Sequence, residues 1–284
     1  VSHPYASRAY AEALSHIGRA VEVSEWRGFV LERSIAAGGT DAIGPYPLTV
    51  LPQDADVSGG LTRLAEHGLV SVVVVPDPLQ GTDLSAFTIR RPFKTHQLID
   101  GPFTPSKHHA ERIRRGHRRC RVERRALADH LDDWRRLYAG LVERRTVSGA
   151  ADFPDGYFAM LAAQPAMQAF VAEIGSQVVA MTLWFAWEGV VYNHLTASDA
   201  AGYANGASFA LYDAAIQHFA GQGVMNLGGG AGHGDDPDDG LAAFKRGFAN
   251  REVVAQVCGA ALDEGRYAAL SAGRETGFFP AYRG

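Results

Sequence analysis

The chain has 284 residues, 46% of them hydrophobic and 20% charged, and a formal net charge of −4. That length holds one large domain or two moderate ones, and the acidic balance excludes a nucleic-acid binder that works by bulk charge. Two cysteines, Cys120 and Cys258, are too few for a disulfide framework or a structural zinc site.

Taken in order, Tyr5, Ala9, Ala13 and Ile17 recur at helical spacing. Two strand-like runs, 20–26 and 29–35, flank Arg27-Gly28 and predict a hairpin. Gly38-Gly39 and Gly44-Pro45-Tyr46-Pro47 are loop, and Leu61 and Leu64 predict a helix ending at Gly68. Residues 70–75 form an almost unbroken valine run, which predicts a strand buried on both faces; 88–91 and 95–99 are further strands. No leader-like stretch and no apolar run long enough to span a bilayer is seen, so the cytoplasm is the expected compartment.

Residues 107–125 carry nine Lys or Arg. Through Arg119 they fit a helix whose clear apolar anchors are Ala110 and Ile113. One reading is a solvated helix joining the two halves. The other is an anion site built from Arg114, Arg115, Arg118 and Arg119, for a phosphate group or an acidic substrate. Residues 126–145 then predict a long helix with Leu127, Leu131, Trp134, Tyr138, Leu141 and Val142 on one stripe. Its first turn is acidic and its last turn basic, as the helix dipole favours.

A short helix over 153–161 precedes an antiparallel meander, 167–174, 178–186 and 190–197, turning at Gly175-Ser176 and Glu188-Gly189. A glycine-punctuated turn, 202–206, then opens a helix over 208–219 that buries Tyr212, Ala215, Ile216 and Phe219. Gly221 and Gly223 stop it, and a strand over 224–227 follows. Strand, helix, strand is a βαβ unit with parallel strands, and a helix N-terminus at the carboxyl end of such a strand suits an anion or an acyl group. The helix over 239–248 is predicted to turn Leu241, Phe244 and Phe248 inward, with Lys245 at the edge of that face.

Several motifs fail on spacing. The glycines of 228–234 do not fit a dinucleotide fingerprint. A twelve-residue calcium loop counted from Asp235 would put Pro237 and Arg246 where ligands are needed. The segment around Ser208 is one residue short of a nucleophile elbow, and His108, His109 and Glu111 do not form a metal-binding helix pattern. No metal is expected.

The runs GYANGAS (202–208), LYDAAI (211–216), NLGGG (226–230) and DGLAAFKRGF (239–248) resemble the second half of GNAT-type acyltransferases of the Fem-like branch. The resemblance is strongest over 134–260. It implies a mixed α+β, GNAT-like acyltransferase fold with two GNAT-like units in tandem, the first degenerate. The units would be 1–104 and 126–284, with a basic connecting helix and strand over 105–125. The activity implied is acyl transfer from acyl-CoA to the amine of a small molecule or peptide. The alternative is Fem-like transfer from aminoacyl-tRNA with formation of a peptide bond, and a third reading is a non-catalytic binding protein on the same fold.

Acyl transfer to an amine needs a proton acceptor, a donor for the oxyanion and a positive charge or acid for the leaving group. The resemblance places the acyl carbonyl on the backbone of Leu195, Thr196 and Ala197. It places the rest of the donor at Gly202, Asn205, Gly206, Ala207 and Ser208. His194 is a candidate base and Asp213 a second one, against the ordinary reading of a hydrogen-bonded strand histidine. Lys245 matches the Fem-like FK-x-GF lysine and would stabilise developing negative charge, against the ordinary reading of a surface lysine. The turn departs from the Arg/Gln-x-x-Gly-x-Gly/Ala pattern of acetyl-CoA users. It lacks the basic lead residue that grips a pyrophosphate, which leaves an aminoacyl-tRNA donor open.

Overall fold

A computed structural model describes residues 3–146, 149–232, 234, 236, 238–274 and 277–284; His233, Asp235 and Pro237 of the two rejected glycine and calcium motifs lie outside them. The chain forms two compact units, Val1–Phe93 with Val254–Gly284, and Lys94–Val253. The resemblance implies units of 1–104 and 126–284 joined by 105–125; in the structure the basic helix packs inside the second compact unit and the last strand returns to pair in the first.

In chain order the elements are α1 (Arg8–Ala13), β1 (Arg19–Val23), β2 (Gly28–Ser34), β3 (Thr40–Ile43), α2 (Val57–Glu66), β4 (Ser71–Val74) and β5 (Ile89–Ile99). Then come α3 (Lys107–Arg119), β6 (Arg121–Arg125), α4 (Leu131–Arg145), α5 (Asp155–Ala162), β7 (Gln168–Ile174), β8 (Gln177–Trp187) and β9 (Val190–Ser198). The chain closes with α6 (Ala200–Asn205), α7 (Ala207–Phe219), β10 (Val224–Asn226), α8 (Gly240–Arg246), β11 (Arg251–Ala261) and α9 (Glu264–Ser271). The two runs read at 88–91 and 95–99 are one strand, β5. The long helix begins with a 3-10 turn, Leu127–His130, before α4.

In the first unit the strands lie in the order β1, β2, β3, β4, β11. The pairings are antiparallel, antiparallel, parallel across the α2 crossover, and antiparallel. The valine run of β4 is fully buried between two strand neighbours. Trp26, Leu51, Leu64, Val72 and Phe87 fill this core.

In the second unit the order is β5, β10, β9, β8, β7, β6. The meander from β6 to β9 is antiparallel, β9 and β10 are parallel, and β10 meets β5 antiparallel. From β7 to β5 this repeats the succession of pairings in the first unit. The hairpin turns follow local chemistry: Glu188 (φ 44°) and Gly189 (φ 80°) both take positive φ, as a two-residue type I′ loop requires. One core gathers Trp184, Leu211, Tyr212, Phe219, Met225, Leu227 and Phe248 under α3 and α7.

Two helical expectations need correction. The turn at 202–206 is itself helical, forming most of α6, and Gly206 (φ 77°) is the left-handed joint to α7. On α8, Leu241 is 41% exposed while Phe248 is fully buried and Lys245 only 8% exposed. Asp239 caps α8 by accepting the N–H groups of Leu241 and Ala242, and this start sets the helix so that Leu241 faces out and Lys245 in.

Candidate active site

The site is built where two parallel strands part. β9 and β10 pair over Val190–Val224, Val191–Met225 and Tyr192–Asn226. β10 then ends, and the chain turns to β5, with Leu227 donating to the Gln97 carbonyl and Gln97 to Gly228. β9 continues to Ser198 along β8 alone, carrying Asn193, Leu195, Thr196 and Ala197 past the point of separation. Leu195 and Ala197 are buried, whereas Asn193 and Thr196 keep partial access to solvent.

The turn after β9 is more occupied than its glycines suggest. Asp199 accepts the Gly202 N–H at 2.8 Å and lies 3.6 Å from Arg136. A carboxylate therefore sits at the α6 N-terminus, where an anionic donor group would otherwise meet the helix dipole. A Cβ on Gly202 would lie 2.4 Å from the Ser198 hydroxyl and 2.5 Å from the Val179 carbonyl, so this glycine serves close packing on β8. Gly206 is needed for its positive φ. Ala207, the first residue of α7, is buried, and Ser208 beside it is partly exposed.

The four candidate arginines of α3 divide into two pairs. Arg115 donates to the Ala204 carbonyl at 2.9 Å and Arg119 to Asn205 Oδ1 at 3.3 Å, which brings both against the α6–α7 joint. Arg114 and Arg118 point to solvent. Asp213 is not with the other candidates: it pairs with His117 of α3 at 2.8 Å, an interhelical contact beside the joint.

Lys245 is the unusual group. Its Nζ donates to the Gly229 carbonyl at 2.8 Å, just beyond β10, and Lys94 Nζ donates to the next carbonyl, Gly230, also at 2.8 Å. Asp239 closes the same loop by accepting the Ala231 N–H. Burial, reinforced by the charge of Lys94 and opposed by Asp239, lowers the Lys245 pKa to about 7. A lysine so placed gives up or takes a proton near neutrality, which an exposed surface lysine does not. The α8 register fixes it: Phe244, the preceding residue, packs on Tyr212 with ring centroids 4.8 Å apart, and His109 holds the Phe244 carbonyl at 3.0 Å.

His194 lies on β9 with Nε2 2.7 Å from the Tyr157 hydroxyl, and burial lowers its pKa to about 3. It is a poor base and is absorbed by the packing of α5. The sign of its effect on stability follows from linkage. Between pH 6.5 and about 3 the unfolded chain binds a proton that the folded chain refuses, so folding weakens as pH falls through that window. His194→Gln should flatten the fall in urea midpoint between pH 7 and pH 4; an unchanged slope would show that His194 does not drive it.

Sequence reasoning missed Lys94, Asp239, Asn193, Thr182 and the hydroxyl of Tyr212. Asp239 was findable, as an Asp directly before an apolar helical run is a capping signal. Thr182 is the one polar residue in the run 178–187 of β8, and Asn193 opens a polar stretch of β9 with His194 and Thr196, which signals a satisfied buried network. Lys94 carries no signal in its own strand.

An antiparallel meander and a parallel pair that splays after a βαβ crossover mark an acyltransferase of the GNAT type. Residues 107–246 match the family model described as an acetyltransferase (GNAT) domain, and this segment belongs to that family. Three solved structures share the fold. The C-terminal domain of a protein assigned as a lysylphosphatidylglycerol synthetase from Agrobacterium fabrum is 16% identical, with 93% of this chain and 89% of that one covered and a TM-score of 0.62. FemX is 12% identical over 94% and 95%, TM-score 0.61. L-PGS from Bacillus licheniformis is 13% identical over 89% and 92%, TM-score 0.60. No curated protein sequence matches the chain. Among the described residues no helix is long and apolar enough to cross a membrane.

Proposed function

We propose that this acyltransferase moves an aminoacyl group from its ester on tRNA to a primary amine, forming an amide. The observation that carries the chemistry is Lys245, buried at the strand separation with its pKa near 7. Its neutral amine takes a proton from the acceptor amine as that nitrogen attacks the ester carbon, and the resulting ammonium can return the proton to the ribose oxygen that leaves as the tRNA hydroxyl when the C–O bond breaks. The backbone of Leu195 to Ala197, on the stretch of β9 beyond its last β10 partner, faces the developing oxyanion. This revises the role expected from the sequence, where Lys245 supplied a positive charge.

The donor assignment is supported by Asp199. Its carboxylate occupies the helix N-terminus where a CoA pyrophosphate would bind, while Arg115 and Arg119 flank the next joint and suit a ribose-phosphate backbone. The structural likeness to FemX and to lysylphosphatidylglycerol synthetases agrees with aminoacyl transfer. Acyl-CoA is the second reading, favoured by the acetyltransferase family match. We also propose that the first unit is a degenerate GNAT-like copy, on the strength of its repeated pairing order. The cytoplasm remains the proposed compartment, with an amine-bearing small molecule or peptide as acceptor.

The test is product formation, read by intact mass, from candidate amines with charged tRNA or with acetyl- and longer acyl-CoAs. Ribonuclease should abolish it. Activity should fall with salt more steeply than for a CoA donor, because more phosphates are neutralised. Arg115→Glu with Arg119→Glu should raise the Michaelis constant for the charged tRNA by about tenfold or more at low salt. Ribonuclease-resistant transfer from acyl-CoA with unaltered kinetics in this variant would overturn the tRNA reading.

A further inference from the structure

The chain has 24 arginines and three lysines, Lys94, Lys107 and Lys245. Lys107 opens α3, but Lys94 and Lys245 come together at one turn. In a chain that otherwise takes its positive charge from arginine, two amines at one place point to what an amine does and a guanidinium does not. It releases a proton, and it meets a single carbonyl as a point donor rather than as a fork.

The turn, 228–231, follows β10 and is held group by group. Asn226 Oδ1 accepts the Gly228 N–H at 2.9 Å, and the Gly228 carbonyl accepts the Gln97 N–H at 3.2 Å. The Gly229 carbonyl accepts from Lys245 Nζ and the Gly230 carbonyl from Lys94 Nζ, both at 2.8 Å. Asp239 accepts the Ala231 N–H while it caps α8, the helix that carries Lys245. The three glycines make room for these side chains in turn. A Cβ on Gly228 would lie 3.2 Å from Lys245 Nζ, one on Gly229 3.1 Å from Lys94 Cβ, and one on Gly230 2.9 Å from Asp239 Oδ2.

Lys245 therefore bonds one carbonyl of the turn, and Lys94 holds the next. A neutral Lys245 that gives one N–H to Gly229 turns its lone pair away from that carbonyl, so the setting of the turn sets the direction in which the amine accepts a proton. Among the described residues, the charged and titratable groups around Lys245 come from several elements. They are Lys94 of β5, Asp239 at the head of α8, His109 of α3, whose ring holds the Phe244 carbonyl, and Arg246, 3.8 Å from Glu252 of β11. Lys94 adds its charge to burial in lowering the Lys245 pKa, and Asp239 opposes it.

We propose that Lys94 is a positioning residue for acyl transfer: by holding the Gly230 carbonyl and placing its charge on the same turn, it fixes the orientation of the Lys245 amine and keeps that amine neutral. This rests on the reading of Lys245 as the proton acceptor, and the first measurement below tests the two separately.

The protein is labelled with ε-13C lysine, and its three side-chain signals are assigned with Lys94→Met, Lys107→Arg and Lys245→Met. Titration of the Lys245 signal needs no turnover. In wild type its midpoint is expected near pH 7. In Lys94→Met it should rise by about one unit, and in Lys94→Arg, which keeps the charge, by about half that or less. Transfer is then followed with whichever donor wild type uses, charged tRNA or acyl-CoA. Lys94→Met should lower kcat by about tenfold with KM changed by about twofold or less. The rising limb of its pH profile should move upward with the NMR midpoint, and Lys94→Arg should recover most of the kcat. Circular dichroism confirms folding, and Lys94→Gln, which keeps a polar end without the charge, takes the place of Lys94→Met if that variant does not fold. A folded, uncharged variant whose Lys245 midpoint and rate limb stay at the wild-type pH overturns the proposal, even if its Tm or its kcat has fallen. A wild-type Lys245 signal that titrates in the ordinary lysine range overturns the reading of Lys245 as base, whatever the Lys94 variants do.

Discussion

Lys245→Met lowers kcat and kcat/KM together by about 100-fold or more while the protein stays folded, if the amine takes the acceptor's proton in the transition state. The pH profile decides the role. A neutral amine as base gives a rate that rises to a plateau above about pH 7, and the variant loses that limb. A cation facing the oxyanion gives the opposite sign, with activity falling above the same pH. Stability supplies a second reading of the same group. Between about pH 7 and the ordinary lysine range the unfolded chain binds a proton that the folded chain has released, so wild-type stability rises with pH across that window. Lys245→Met removes this dependence. Relative to wild type the variant should be most stable at pH 6 and lose that advantage by pH 9, offset in part by the Gly229 carbonyl it leaves without its 2.8 Å partner. Near-normal turnover in the variant, together with a pH-independent change in stability, would make Lys245 a packing residue.

Much of the second unit was legible because its elements obey local rules. The meander follows from alternating strands and turn residues, and the parallel β9–β10 pair follows from strand, helix, strand. What periodicity did not carry was the rotation of short helices. α8 has seven residues, too few for a stripe to declare its inner face, and the inward set became Phe244, Lys245 and Phe248 once Asp239 fixed the start. The glycines of 202–206 read as an open anion loop, yet Gly202 is there for contact with β8 and Asp199 fills the helix end. Lys94 and Lys245 meet only because β5 and the loop after β10 are sheet neighbours, and the hydrogen bonds around Thr182 and Asn193 join β8, β9 and α7. Contacts of that range leave no mark in a single stretch of sequence.

Gly116→Ala should destabilise the protein although alanine is the better helix former. Gly116 lies where α3 crosses α7, and a Cβ there would sit 2.6 Å from the Gly206 carbonyl oxygen and 2.9 Å from the Ala210 side chain. The oxygen is backbone, fixed by the left-handed joint at Gly206, so it cannot swing away. α3 would have to lift, loosening the contacts of Arg115 with Ala204, His117 with Asp213 and Arg119 with Asn205. Overpacking of this kind costs about 1–3 kcal/mol, more than the gain of about 1 kcal/mol in helix propensity. Gly116→Val adds bulk without the propensity benefit and should lower Tm by about 5–10 °C. Gly140 provides the control. It lies inside α4, and a Cβ there would meet only the end of the Arg144 side chain, 3.1 Å away. Gly140→Ala should therefore stabilise by about 0.5–1 kcal/mol, from the same substitution in the same kind of element. If both alanine variants shift Tm upward, α3 is not held by close approach at Gly116. The basic helix would then be free to move away from the α6–α7 joint, and the placement of Arg115 and Arg119 beside the donor would lose its support.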